Sequence, residues 1–221
     1  MQKQWQLLPP NPVLATELSR ALLVSPSVAQ ILINRGISDL AQAKIFLDPR
    51  LTNLSDPFEI PNIKIAAERV LLARERGEKV LVFGDYDVDG VTGTAILIQT
   101  LKFLGLSPTY YIPHRYDEGY SLSIGAIRKI AADDIKLIIT VDCGISSVAE
   151  IALAKELGID VVITDHHNIP LKLPDAVAIV NPKQLASDHH SRNLAGEGVA
   201  FKFAWALLRV AGIKESAFLA S

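Results

Sequence analysis

The sequence predicts an α/β fold: a mostly parallel five-stranded sheet flanked by helices, preceded by a small helical N-terminal region. From Lys79 onward, short apolar segments alternate with longer segments of helical periodicity, the pattern of βαβ units. The strand segments are apolar nearly throughout, as expected for strands buried on both faces. The chain has 221 residues, of which 49% are hydrophobic, enough for one sizeable core with a smaller appendage.

The N-terminal region is predicted to contain three short helices and a linker. Asn11 and Ser25 each precede a proline, which is typical of a helix N-cap, and a third helix is predicted over about 39–47. Prolines then interrupt the periodicity, at Pro49, Pro57 and Pro61. We therefore assign residues 1–60 to a helical region with a linker, and residues 61–221 to the main domain.

The main domain is predicted to begin with a helix over 63–76, followed by alternating strands and helices. The strands are predicted at 80–83, 109–112, 137–141, 161–164 and 177–180. The helices are predicted at 91–104, 123–132, 147–157 and about 198–210. Ligands of parallel sheets bind at the carboxyl ends of the strands, so the residues after each strand are the candidates for function.

Composition limits the function classes. With 22 basic and 24 acidic side chains the net charge is −2, so nucleic acid would have to bind through local patches and metals. Neither a transmembrane run nor a signal peptide occurs, and we expect no membrane partner. The single cysteine, Cys143, excludes an internal disulfide and favours a cytoplasmic location; we interpret it as a small buried side chain, not a nucleophile.

Carboxylate and imidazole groups follow three of the predicted strands. They are Asp85, Asp87 and Asp89 after the first strand, Asp142 after the third, and Asp165, His166 and His167 after the fourth. The carboxyl ends of parallel strands share one edge of the sheet, so these groups should converge there. Each acid alone could simply form a turn or cap a helix, but chance does not explain their common register.

Such a convergence predicts a metal site. On an extended segment Asp85, Asp87 and Asp89 would point to one side and repel one another, and a buried acidic cluster is costly without a cation. A mixed Asp/His set suits Mn²⁺ or Mg²⁺ better than a structural zinc ion. Asp142 could bridge two ions, and two ions about 3.5–4 Å apart clamp the attacking and leaving oxygens of a phosphoryl displacement.

These segments resemble the first three motifs of the DHH phosphoesterase superfamily: 85–90, 141–144 and 165–167. Further segments narrow the resemblance, at 112–115, 118–120, 181–183 and 195–201. With them the chain is similar to the RecJ branch, whose members are single-strand-specific 5′→3′ DNA exonucleases. The resemblance extends from about Lys79 to Lys202, and more loosely over the helical N-terminus.

The resemblance implies a role for each matching residue at a centre of two Mn²⁺ or Mg²⁺ ions. Asp87 and Asp89 would each hold an ion, Asp142 would bridge the pair, and His166 would be a ligand. His167 would complete the catalytic set as a ligand or a phosphate contact. Asp85 and Asp165 would orient their neighbours, and a turn-forming role is the alternative for Asp85.

Other residues suit a nucleic-acid substrate. His114 and Arg115 follow the second strand, and Arg115 could grip a phosphate in bidentate fashion or pair with Asp117 or Glu118. Tyr120 could stack on a base or pack within its loop. The backbone N–H groups of two glycines before the last helix could approach a phosphate, those of Gly196 and Gly198. For His189 and His190 we favour a solvated loop over a metal site.

The resemblance implies a divalent-metal-dependent phosphodiesterase that digests single-stranded DNA 5′→3′ to 5′-mononucleotides in DNA repair and recombination. A helicase or a single-strand-binding protein is a candidate further partner. The alternatives are a DHH-type hydrolase of oligonucleotides, cyclic dinucleotides or pyrophosphate, and a non-catalytic DNA-binding scaffold. The family's fourth acidic motif and second domain are missing here, so we expect an N-terminal piece of a longer protein, with one ion weakly held and activity reduced or lost.

Overall fold

The computed structural model describes residues 4, 6–50, 53–116 and 119–214. The chain divides into two compact units, Met1–Ser55 and Asp56–Ser221. Our assignment of functional domains with a boundary at residues 60 and 61 stays a prediction.

The N-terminal unit contains three helices among its described residues: α1 (Pro12–Leu22), α2 (Pro26–Asn34) and α3 (Leu40–Leu47). The predicted caps form, because Asn11 accepts a hydrogen bond from the N–H of Leu14 and Ser25 accepts one from that of Val28. A small apolar core lies between the helices, built on Ala15, Leu18 and Ala29.

The larger unit contains the sheet. Its strands are β1 (Val80–Gly84), β2 (Thr109–Tyr111), β3 (Leu137–Val141), β4 (Asp160–Thr164) and β5 (Ala178–Val180). Its helices are α4 (Ile63–Arg76), α5 (Val88–Phe103), α6 (Ile124–Ala131), α7 (Val148–Glu156) and α8 (Gly196–Val210). The strands are all parallel in the order β2-β1-β3-β4-β5, which confirms the predicted fold class.

Two apolar layers cover the faces of the sheet. On one face, Val82 of β1 and Ile139 of β3 pack with buried residues of α4, α5 and α8. On the other face, Phe83 and Ile138 pack with residues of α6 and α7. Alternate residues of each strand therefore enter opposite layers, which explains why the strands are apolar throughout. None of the described helices is long and apolar enough to cross a membrane.

Two helices begin earlier than the sequence predicted. Helix α5 begins at Val88 instead of residue 91, and α8 begins at Gly196 instead of residue 198. Both beginnings fall inside the segments singled out for function. The candidate site is therefore built partly from the first turns of helices, and not only from loops that follow strands.

Candidate metal centre

The three carboxylates of the first acidic segment lie in different backbone conformations. Asp85 follows β1 and is buried, and the side chain of Asp87 caps α5 by accepting a hydrogen bond from the N–H of Gly90 at 3.0 Å. Asp89 then lies in the first turn of that helix. The expectation that Asp85, Asp87 and Asp89 share one side of an extended segment is therefore wrong, because the Asp87 cap starts the helix between them.

Asp142 is placed by an unusual backbone conformation. It follows β3 with φ of +61°, a left-handed conformation that costs a non-glycine residue energy and is common at functional sites. Its side chain is buried, with 1% of the residue exposed. Its Oδ1 lies 3.0 Å from Nε2 of His166, yet it accepts no well-formed hydrogen bond from any described residue. This carboxylate therefore presents an unsatisfied oxygen inside the protein.

Two groups of donor atoms meet at Asp142. One group is Asp85, Asp87 and Asp142, and the other is Asp142, His166 and His167; within each, the potential ligand atoms lie within 4.8 Å of one another. Asp89 adjoins the second group, because its Oδ2 is 3.9 Å from Nε2 of His166. The structure thus brings together residues from three strand ends, as the sequence predicted, with Asp142 common to both groups.

Asp165 orients the histidine segment from within the core. Its Oδ1 accepts hydrogen bonds from the N–H groups of His166 and His167, and lies 2.7 Å from Nδ1 of His167. Burial alone would raise the pKa of Asp165, but the hydrogen bonds from His167 hold it below its ordinary value. A proton on Nδ1 of His167 leaves the lone pair on Nε2, the tautomer that a metal ligand needs.

The carboxylates repel one another in the absence of a cation. Burial, and then the nearby charge of Asp87, raises the pKa of Asp142 to about 8. Burial also raises the pKa of Asp85. The unsatisfied oxygen of Asp142 and this crowding of hard oxygen and nitrogen donors fit a divalent cation such as Mn²⁺ or Mg²⁺.

The cysteine beside Asp142 does not act as a nucleophile. Cys143 is fully buried, and its Sγ lies 3.8 Å from the carbonyl oxygen of Phe83. Burial raises the pKa of the Cys143 thiol well above its ordinary value, so the nucleophilic thiolate is not formed near neutral pH. This supports its interpretation as a small buried side chain.

A pH titration of stability tests the raised pKa of Asp142, which burial and then the charge of Asp87 produce. Because the pKa of Asp142 is about 8 in the folded protein and about 3.9 in the unfolded chain, the folded state holds a proton that the unfolded state releases. The stability of the metal-free protein should therefore fall as pH rises from about 4 to 8, by at most about 1.4 kcal/mol per pH unit for this one proton. Thermal unfolding in EDTA should show a flatter profile for Asp142→Asn, and parallel profiles would contradict the prediction.

Arg115 and Tyr120 lie close to the acidic residues. The guanidinium carbon of Arg115 is 5.3 Å from the centroid of the Tyr86 ring. The positive charge of Arg115 therefore lies beside the first acidic segment. The hydroxyl of Tyr120 donates a hydrogen bond of 3.3 Å to the carbonyl oxygen of Asp142. The phosphate contact of Arg115 and the base contact of Tyr120 stay predictions. The contribution of His114 to substrate binding also stays a prediction; its ring lies 6.0 Å from that of Tyr116. The alternative partners of Arg115, Asp117 and Glu118, lie outside the described residues.

The two glycines in the first turn of α8 make different contacts. The N–H of Gly196 donates to Oδ2 of Asp89 at 2.9 Å, so its partner here is a carboxylate and not a phosphate. A Cβ added at Gly196 would lie 2.6 Å from Oδ1 of Asp142, so glycine allows the helix to approach the site. A Cβ at Gly198 would instead meet Leu194 at 3.3 Å, away from the cluster, and its phosphate contact stays a prediction.

Sequence reasoning missed Glu197, which stands between these glycines. It lies in the first turn of α8, and its carboxyl group interacts electrostatically with Asp89. Burial, and then Asp89, raises the pKa of Glu197. The signal that could have found it is the helix start: a helix begun at Gly196 puts this acid in a first turn facing the site.

His189 and His190 form a separate cluster with Glu59. Nε2 of each ring lies near Oε2 of Glu59, at 3.6 Å and 3.5 Å. Nδ1 of His189 accepts a hydrogen bond from the N–H of Ser191 at 3.1 Å, which puts the proton of the neutral ring on Nε2. A protonated Nε2 has no lone pair to offer a metal ion, so for His189 this geometry favours the solvated loop.

The fold and the cluster together define a parallel α/β domain with a cluster of potential metal ligands at the carboxyl edge of its sheet. Residues 79–219 match the family described as "DHH family, N-terminal domain". The chain belongs to the DHH family.

Within that family the chain is similar to RecJ exonucleases. It is 43% identical over 205 residues to the single-stranded-DNA-specific exonuclease RecJ of Bacillus subtilis, covering 93% of this chain and 26% of that protein. It is 37% identical to the RecJ of Thermus thermophilus, covering 92% of this chain and 29% of the relative. The chain therefore spans about a quarter of the length of these relatives.

Solved structures show the same likeness. The structure of Thermus thermophilus RecJ in complex with Mn²⁺ matches with a TM-score of 0.71 at 33% identity, over 94% of this chain and 29% of that one. A structure of exonuclease RecJ bound to manganese matches with a TM-score of 0.65 at 37% identity, over 70% of this chain and 39% of that one.

Proposed function

We propose that this chain carries the metal-binding half of an exonuclease site that hydrolyses phosphodiester bonds of single-stranded DNA. The observation that supports it most is the convergence of carboxylate and imidazole donors on the buried, unsatisfied oxygen of Asp142. The names of the RecJ relatives, which are single-stranded-DNA-specific exonucleases, supply the substrate class.

Asp87, Asp89, Asp142 and His166 would hold two divalent cations, Mn²⁺ or Mg²⁺, with Asp142 between them. When bound, the cations supply Lewis-acid polarisation of the phosphodiester and of the attacking water. Asp165 fixes the ring of His167, which leaves a lone pair on Nε2 of that histidine for use as a further ligand or a phosphate contact.

The remaining residues of the site would bind the strand. Arg115 is exposed and contacts the ring of Tyr86, and its planar guanidinium group would bind a phosphate. Tyr120 has 50% of its surface exposed, and its ring would stack on a base. Its hydroxyl would remain hydrogen-bonded to the carbonyl oxygen of Asp142. Digestion 5′→3′ to 5′-mononucleotides, a role in repair and recombination, partnership with a helicase or single-strand-binding protein, and a cytoplasmic location remain expectations from the family.

A substrate comparison tests the proposed function. This chain, and a chimera that continues past Ser221 with the corresponding part of Bacillus subtilis RecJ, would be incubated with MnCl₂. The substrates are 5′- and 3′-labelled single strands, duplex DNA, a dinucleotide, a cyclic dinucleotide and pyrophosphate. The proposal predicts metal-dependent loss of single strands, with the 5′ label released first as a mononucleotide.

Other results would redirect the assignment. Cleavage of only the small substrates would move it to the oligonucleotide, cyclic-dinucleotide or pyrophosphate hydrolases of the family. Binding of single strands without Mn²⁺-dependent cleavage, in both the chain and the chimera, would favour the scaffold alternative.

A further inference from the structure

Glu197 lies in the first turn of α8, a helix to which none of the three acidic segments belongs. The N–H of Gly196 donates to Oδ2 of Asp89 at 2.9 Å, which fixes the first turn of α8 against the first turn of α5. The two helices pack closely there, since a Cβ added to Gly93 of α5 would lie 3.6 Å from the Cα of Glu197. The backbone of Glu197 is thus held against the first turn of α5, the turn that contains Asp89.

The side chain of Glu197 carries an unsatisfied oxygen. Its Oε2 is buried and has no hydrogen-bond partner among the described residues. The carboxyl group interacts electrostatically with Asp89, and two neighbouring carboxylates repel one another when no cation lies between them. Nε2 of His166 lies 3.9 Å from Oδ2 of Asp89. Asp89 therefore has an imidazole nitrogen and a second carboxyl group among its neighbours.

We propose that Glu197 is a further carboxylate ligand of the cation held by Asp89 and His166. This inference rests on the proposed metal centre and adds a residue to it. Hard divalent cations take six or more ligands, mostly oxygens, and the buried Oε2 of Glu197 is an oxygen with no other described partner.

The Gln variant separates a ligand from a merely positioning residue. In Glu197→Gln the amide can donate a hydrogen bond to Asp89, so a role limited to orienting Asp89 would survive the change. The carboxylate charge is lost, so a role as ligand would not. Glu150→Gln is the matched control, because Glu150 also lies in the first turn of a helix, α7, and is also half-buried, but no described contact joins it to Asp89.

The experiment is calorimetric titration of the metal-free 221-residue chain with MnCl₂, supported by the EPR signal of free Mn²⁺. Glu197→Gln should weaken one of the two binding steps by about 10- to 100-fold and leave the other unchanged. Glu150→Gln should change neither step by more than about threefold, and thermal unfolding in EDTA should show both variants folded.

The outcomes separate this inference from the proposed function. If wild type binds Mn²⁺ and Asp142→Asn does not, but Glu197→Gln binds as wild type does, the ligand role of Glu197 is refuted and the metal centre stands. If wild type itself binds no Mn²⁺, the metal centre and the role of Glu197 both fail.

Discussion

Asp142→Asn is expected to abolish Mn²⁺ binding and to lower any nuclease activity by at least about 10²- to 10³-fold. Asn keeps the size of the side chain and tolerates the left-handed backbone at φ of +61°, so the substitution removes the charge without disturbing the loop. The loss should be large because both donor groups share the Asp142 carboxylate. Calorimetry with MnCl₂ and release of 5′-label from single-stranded DNA measure the two effects.

The control for this prediction is the adjacent residue. Cys143→Ala changes a fully buried side chain whose sulfur contacts only the Phe83 carbonyl among the hydrogen bonds described, and it should keep Mn²⁺ binding. In EDTA near pH 8 the Asn variant should unfold at the same temperature as wild type or a higher one, because it removes a repelling charge. Full activity in a folded Asp142→Asn protein would refute the bridging role.

Gly196→Ala is expected to disable the site without removing a single donor atom. The added methyl group would lie 2.6 Å from Oδ1 and 2.8 Å from Cγ of Asp142, closer than packed atoms allow. Either the Asp142 carboxylate or the first turn of α8 must move, and a displacement of about 1 Å can cost 10²-fold in rate. We expect a loss of about 100-fold in activity and weaker Mn²⁺ binding.

Gly198→Ala provides the matched comparison. Its added methyl group would meet a flexible leucine side chain, Leu194, at 3.3 Å and would not reach the carboxylates. It should retain metal binding and most activity. If the two alanine variants behave alike, the close approach of α8 to Asp142 is not what positions the site.

The sheet and its strand-end residues could be predicted because they depend on local patterns. Buried parallel strands are apolar throughout, and the residue that follows each strand lies at a fixed edge of the sheet. That logic located Asp142 and the segment 165–167 without any knowledge of their contacts. The burial of Cys143 was also predicted correctly, from the lack of a nucleophile motif around it and the usual burial of a free cysteine.

The details that depend on contacts between distant segments could not be predicted. The N–H of Gly196 meets Asp89, 107 residues earlier in the chain, and no periodicity encodes that pairing. Asp87 was interpreted as a member of an extended acidic row, but its side chain caps α5 and sends Asp89 toward α8. Glu197 was overlooked for the same reason, since its partner is Asp89.

Anomalous diffraction at the manganese edge, from crystals of this chain grown with MnCl₂, tests the metal centre most directly. The account predicts a peak within about 2.0–2.6 Å of carboxylate oxygens of Asp87 or Asp89 and of Asp142. It also predicts that Nε2 of His166 faces a peak. Ordered Asp142 and His166 side chains with no anomalous peak between them, or a peak only beside Glu59, would contradict it.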